Sequence, residues 1–94
     1  MRILLLALCL CAPLWAASPY AIAIHGGAGT IERSKLSAEQ EREIRAALEA
    51  AARAGEAVLA DGGSALDAVS ASVVLLEDSP WFNAGKGAVF TAAG

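Results

Sequence analysis

An α+β chain running strand, two helices, loop, strand is predicted from three features of the sequence. Tyr20 to Ile24 is a short, almost continuously apolar run leading into Gly26-Gly27, the pattern of a strand buried on both faces. Between residues 37 and 79, apolar residues recur at helical spacing behind two candidate serine caps. Gly87 to Thr91 supplies a second strand-like run.

The N-terminus is set aside before any fold reasoning. Met1-Arg2, the apolar stretch Ile3 to Trp15 and the small residues Ala16-Ala17-Ser18 have the charge, length and exit of a secretory signal. The stretch is short of the roughly 20 residues that span a bilayer, so an export leader is expected over 1–16, with cleavage between 16 and 18. Export to a periplasm or out of the cell follows. Cys9 and Cys11 both fall inside the leader, so 17–94 carries no cysteine and no disulfide framework. Neither cysteine follows the small residue that lipid attachment favours.

Seven Lys and Arg against ten Asp and Glu give a formal net charge of −3, and loss of Arg2 with the leader makes the remainder more acidic. The basic residues are scattered, which argues against nucleic acid and acidic lipid as partners. A segment as short as 17–94, with no cysteine or evident metal cage as a staple, buries a modest core. It is therefore expected to be the front part of a larger domain.

After the first strand and its glycine loop, Ser37 with Gln40 three residues on forms a capping box. Ile44, Leu48, Ala51, Gly55, Val58 and Leu59 line one face of the helix that follows. Glu41 with Arg45 and Glu49 with Arg53 sit at i,i+4 on the opposite, solvated face. Asp61-Gly62-Gly63 ends this helix, and Ser64 with Asp67 caps the next. In that second helix Leu66, Val69, Val73 and Leu76 are the expected buried stripe, while Ala65, Ala68, Ser70, Ala71 and Ser72 permit close packing on a neighbour. Pro80 stops it.

Two segments have the composition of a site. His25-Gly26-Gly27-Ala28-Gly29 follows a buried strand, and glycine-flanked N–H groups there can face a developing negative charge. The plainer alternative is that His25 hydrogen-bonds backbone at the strand end. An esterase is disfavoured because no Gly-x-Ser-x-Gly turn occurs, and a phosphate loop because no Gly-Lys-Ser/Thr ending occurs. Leu76 to Gly87 combines a helix end with free carbonyls, a proline, adjacent aromatics and alternate glycines. Such a turn can gather carbonyl oxygens around a hard monovalent cation, or Glu77 and Asp78 can simply be a solvated helix end.

Taken together, His25-Gly26-Gly27-Ala28-Gly29, Gly63-Ser64-Ala65-Leu66-Asp67-Ala68-Val69 and Phe82-Asn83-Ala84-Gly85-Lys86-Gly87-Ala88-Val89-Phe90 resemble the start of the plant-type L-asparaginase/isoaspartyl peptidase family of N-terminal-nucleophile hydrolases. The likeness covers about Ala21 to Thr91. Glycosylasparaginases are similar around Gly62 to Val69 but lack the other two segments. A small exported, non-catalytic interaction protein built on the same half-fold is the other alternative.

The resemblance implies an αββα four-layer sandwich. It also implies a precursor that cuts its own chain to free a threonine nucleophile, and a substrate that is L-asparagine or a β-aspartyl dipeptide. No cofactor is implied for the chemistry. It places Asn83 beside the nucleophile and His25, Gly26 and Gly27 in the loop beneath it. A structural sodium ion is implied on the main-chain carbonyls of Leu76, Glu77, Ser79, Phe82, Ala84 and Lys86. The cleaved halves would form an α–β heterodimer that pairs into a heterotetramer. The family's Thr-Val-Gly segment is not found here, Thr30 and Thr91 being the sequence's two threonines, so these 94 residues alone are expected to be inactive.

Overall fold

The computed structural model describes residues 19–27 and 32–94; the expected leader, Ala28, Gly29 and Thr30 lie outside them. Two helices organise the described residues: α1, Ala38–Ala60, and α2, Ala65–Asp78. None is long and apolar enough to cross a membrane.

α1 begins at the predicted capping box. Ser37 Oγ accepts the Gln40 N–H at 3.1 Å, and Gln40 Oε1 accepts the Ser37 N–H at 3.0 Å. Both atoms satisfy N–H groups that the first turn leaves without helical partners. Ser37→Ala is therefore expected to destabilise the intact protein by about 1 kcal/mol, read from chemical denaturation. An unchanged midpoint would show that α1 is held by packing alone.

α1 stops where Gly62 adopts φ +81, a left-handed backbone open to glycine. The Gly63 N–H then reaches Val58 O at 2.8 Å and the Gly62 N–H reaches Leu59 O at 3.1 Å, closing a Schellman turn. Ser64 Oγ accepts the Asp67 N–H at 3.1 Å and opens α2. With so short a connection the helices fold back on one another.

Their seam is built from small residues. Ala51 is fully buried, Gly55 is buried, and Ala68 and Ser72 on α2 are each 2 % exposed. Ser72 Oγ donates to Ala51 O at 2.7 Å, so the one polar side chain in this seam is satisfied across it. Ile44 is buried on the predicted face of α1, with Leu48, Val58 and Leu59 half-buried beside it. On the outer face Arg45 pairs with Glu41 at 3.0 Å and Arg53 with Glu49, as the spacing predicts. Glu49 holds the Arg53 guanidinium still more firmly protonated. Such exposed pairs contribute little to stability.

Two expectations are corrected. The face of α2 predicted to be buried is largely open: Leu66 is 75 %, Val69 55 % and Val73 39 % exposed, with Leu76 half-buried. Close approach of two helices selects short side chains, so Ala68 and Ser72 took the α1 contact and the bulky residues turned away. Secondly, neither Tyr20–Ile24 nor Gly87–Thr91 forms a strand among the described residues. A strand is a property of a pair, since its N–H and C=O groups need a neighbour's ladder, and neither run has that partner here. Ile22, Ala23 and Ile24 instead lie over α2, bounding with Val69, Ser72, Val73 and Leu76 an apolar cavity of about 210 Å³. Gly87 ends a 3₁₀ turn, Gly85–Gly87, from which Ala88 leaves in extended backbone.

Candidate active site

The two glycine-rich segments, more than fifty residues apart, meet at one cavity of about 250 Å³. His25, Gly26 and Gly27 line one side; Phe82, Asn83 and Ala84, with Leu76 from the end of α2, line the other.

The first segment is shaped by contact and by its histidine. A Cβ on Gly26 would stand 3.1 Å from Phe82 Cε1 and 3.3 Å from Leu48 Cδ2, so the backbone passes through a slot sized for glycine. Gly27 takes φ +99, which a side chain would strain. Its N–H donates to His25 Nδ1 at 3.0 Å. The neutral imidazole therefore carries its proton on Nε2 and offers a donor there. That bond is the plainer role foreseen for His25, and it takes the Gly27 N–H out of the donors free for an oxyanion.

The second segment leaves α2 at Asp78, where the Ser79 N–H still reaches Leu76 O at 3.3 Å and Pro80 bars another turn. Phe82 is 3 % exposed. Asn83 Oδ1 accepts the Val89 N–H at 2.9 Å and ties the loop across the 3₁₀ turn. Because that partner is an N–H, the amide orientation is fixed and the Asn83 NH₂ group is the end left for other partners.

The turn presses on main-chain carbonyls. A Cβ on Gly85, itself at φ +49, would fall 2.5 Å from Glu77 O. At Gly87 a Cβ would meet the carbonyl oxygens of Phe82 and Pro80. Among the described residues, the Glu77, Ser79 and Lys86 carbonyls accept no loop hydrogen bond. Those of Leu76, Phe82 and Ala84 each accept one, from Ser79, Ala84 and Gly87, and keep a second lone pair. The Cβ positions of Gly85 and Gly87 are thus bordered by the carbonyl oxygens of Glu77, Phe82 and Pro80, neutral donors of the kind a hard cation takes. No group of three His, Cys, Asp or Glu side chains fit for a metal occurs among the described residues.

Of the predicted residues, His25, Gly26, Gly27, Asn83, Leu76, Phe82 and Ala84 share the cavity, whereas Glu77, Ser79 and Lys86 do not line it. The phenyl ring of Phe82, as opposed to its carbonyl, was not foreseen. Its sequence signal is faint: a glycine in one segment whose missing Cβ leaves room for an aromatic in the other.

The sequence that carries these segments has counterparts among known proteins. Residues 18–94 match the family model described as asparaginase. The chain belongs to the asparaginase family. It is 54 % identical over 70 residues to the isoaspartyl peptidase of Escherichia coli (strain K12), covering 74 % of this chain and 22 % of that protein. The isoaspartyl peptidase of Salmonella typhimurium is 52 % identical over 73 residues, 78 % of this chain and 23 % of its own. The human isoaspartyl peptidase/L-asparaginase is 40 % identical over 77 residues, 82 % of this chain and 23 % of its own. The chain thus spans 22–23 % of the length of these curated relatives.

Proposed function

We propose that this chain is the N-terminal portion of an exported threonine-nucleophile amidohydrolase that releases L-aspartate from β-aspartyl dipeptides and L-asparagine. The observation that carries the proposal is the cavity where His25-Gly26-Gly27 faces Phe82-Asn83-Ala84, set beside relatives named for that activity.

In this scheme a downstream segment supplies a threonine whose α-amine is freed when the precursor cuts itself. That amine, with a pKa of about 8, accepts the hydroxyl proton as the oxygen attacks the side-chain carbonyl of the substrate. The C–N bond breaks, the proton passes to the departing ammonia or amine, and an aspartyl ester remains on the threonine. Water then adds to the ester, restoring the hydroxyl and freeing aspartate. The residues of this chain shape the floor beneath that threonine: Gly26 and Gly27 let main chain approach closely, and the Asn83 NH₂ group is held as a donor at the rim.

Sodium on the carbonyls of Leu76, Glu77, Ser79, Phe82, Ala84 and Lys86 would brace the loop that carries Asn83. The exposed Leu66, Val69 and Val73 face of α2 is where the sheet of an αββα sandwich would lie, with Tyr20–Ile24 and Gly87–Thr91 pairing into that sheet. The cleaved halves would assemble as an α–β heterodimer and then a heterotetramer in the periplasm or outside the cell.

The test compares residues 17–94 with the same segment joined to the downstream part of its reading frame. Aspartate release from L-asparagine and β-aspartyl dipeptides is expected of the second and not of the first. Turnover by purified 17–94 would overturn the missing-nucleophile reasoning. A stable, cooperatively melting monomer with no turnover from either form would favour the non-catalytic alternative.

A further inference from the structure

We infer that Phe82 is a positioning residue whose ring is the stop on which the His25-Gly26-Gly27 loop rests, fixing the distance of that loop from Asn83. The inference rests on the hydrolase proposed above.

Phe82 lies in a loop yet is 3 % exposed. Gly26 runs across the ring so closely that a methyl group would stand 3.1 Å from Cε1 and 3.4 Å from Cδ1. The same point lies 3.3 Å from Leu48 Cδ2 of α1, so the ring and a helix side chain together form a clamp against the face of the glycine where a side chain would stand. Phe82 also borders two spaces. One is the candidate site; the other, about 160 Å³, is bounded by Phe82 and Asn83 with Leu36, Ile44, Trp81 and Val89 among others.

Backbone at this residue is equally constrained, with Phe82 O accepting the Ala84 N–H at 2.8 Å and Asn83 Oδ1 tied to Val89 next door. One residue therefore holds the second segment through its main chain and the first through its ring. A flat ring suits the task, since it presents a broad, rigid surface at little rotamer cost. A shorter aliphatic chain would let the histidine loop sink toward the second space. Displacements of that order at a site held for near-attack geometry carry large kinetic penalties.

The experiment uses the intact enzyme with Phe82→Leu, Phe82→Met, Gly26→Ala and the double variant Phe82→Leu/Gly26→Ala. Each is measured for kcat and KM on L-asparagine and a β-aspartyl dipeptide, and for thermal midpoint. Phe82→Leu is expected to lower kcat about tenfold with KM changed less than about twofold, and Phe82→Met to fall between it and the wild type. Gly26→Ala is expected to lower kcat as well. Because leucine vacates the space that the new methyl needs, the double variant should turn over at least about threefold faster than the product of the single effects predicts.

A Phe82→Leu enzyme with lowered melting but unchanged kcat would overturn the inference, as would single effects that multiply independently. If Gly26→Ala fails to fold, the contrast between kcat and melting in the Phe82 variants decides alone. If the wild type hydrolyses neither substrate, the proposed function falls. The clamp is then judged from melting of the four variants, where coupling supports it and additivity overturns it.

Discussion

Gly55→Ala is expected to destabilise the intact protein by about 3 kcal/mol, although alanine is ordinarily the better helix residue by about 1 kcal/mol. The new methyl would fall on Ile22 Cδ1 and Ser72 Oγ, with Ala68 O at 3.0 Å. Ile22 can swing aside. Ser72 cannot, because its hydroxyl is 2 % exposed as a residue and committed to Ala51 O, and rotating away strands a buried donor at a cost of about 1–3 kcal/mol. Forcing α1 and α2 apart instead opens the Ala51 and Ala68 contacts, with an overpacking cost of about 1–3 kcal/mol. The control is Gly55→Ala/Ser72→Ala, which removes the obstructing oxygen and should recover more than half of the loss. Chemical denaturation of the wild type, Gly55→Ala, Ser72→Ala and the double variant measures it. A stabilised Gly55→Ala would mean that the helices do not approach as closely as this seam requires.

The same seam explains how far the sequence could be read. Capping is local chemistry, so Ser37, Gln40, Ser64, Gly62 and Pro80 marked both helices to within a residue or two. The apolar face of α1 was legible because one stripe stands against a charged opposite face. On α2 both faces are apolar or small: Ala68 and Ser72, read as permitting close packing, are buried, while the bulky Leu66 and Val69 of the expected stripe stay open. Periodicity reports which residues share a face, and only a partner decides which face is covered.

Strands fail for a related reason, since Tyr20–Ile24 and Gly87–Thr91 have strand composition but neither has a ladder partner among the described residues. The shared cavity was more legible than strand pairing. Glycines at 26, 27, 85 and 87 each stand where a side chain would strain the backbone or collide with Phe82 or a carbonyl, or both, so composition carried the geometry directly. What composition could not carry was a long-range contact such as the Phe82 ring on Gly26.

Asn83 has two ends, one tied to Val89 and one left for other partners, and two substitutions should part them. In Asn83→Ala the Val89 N–H loses the acceptor at 2.9 Å that ties the loop, so both melting temperature and turnover of the intact enzyme should drop. In Asn83→Asp an oxygen remains for Val89, and the loop should stay closed with melting close to wild type. The aspartate, ionised well above its usual pKa of about 4, offers no N–H at neutral pH and places a negative charge beside the cavity. If the amide donates to the reacting centre, losing that donor should reduce kcat/KM about 100-fold or more, the scale found when a preorganised donor is removed. Steady-state kinetics with thermal melting on both variants decides the matter. An Asn83→Asp enzyme with wild-type turnover would leave Asn83 as a loop tie and nothing more, and the donor at the rim of the cavity would have to be sought in the His25 Nε2–H.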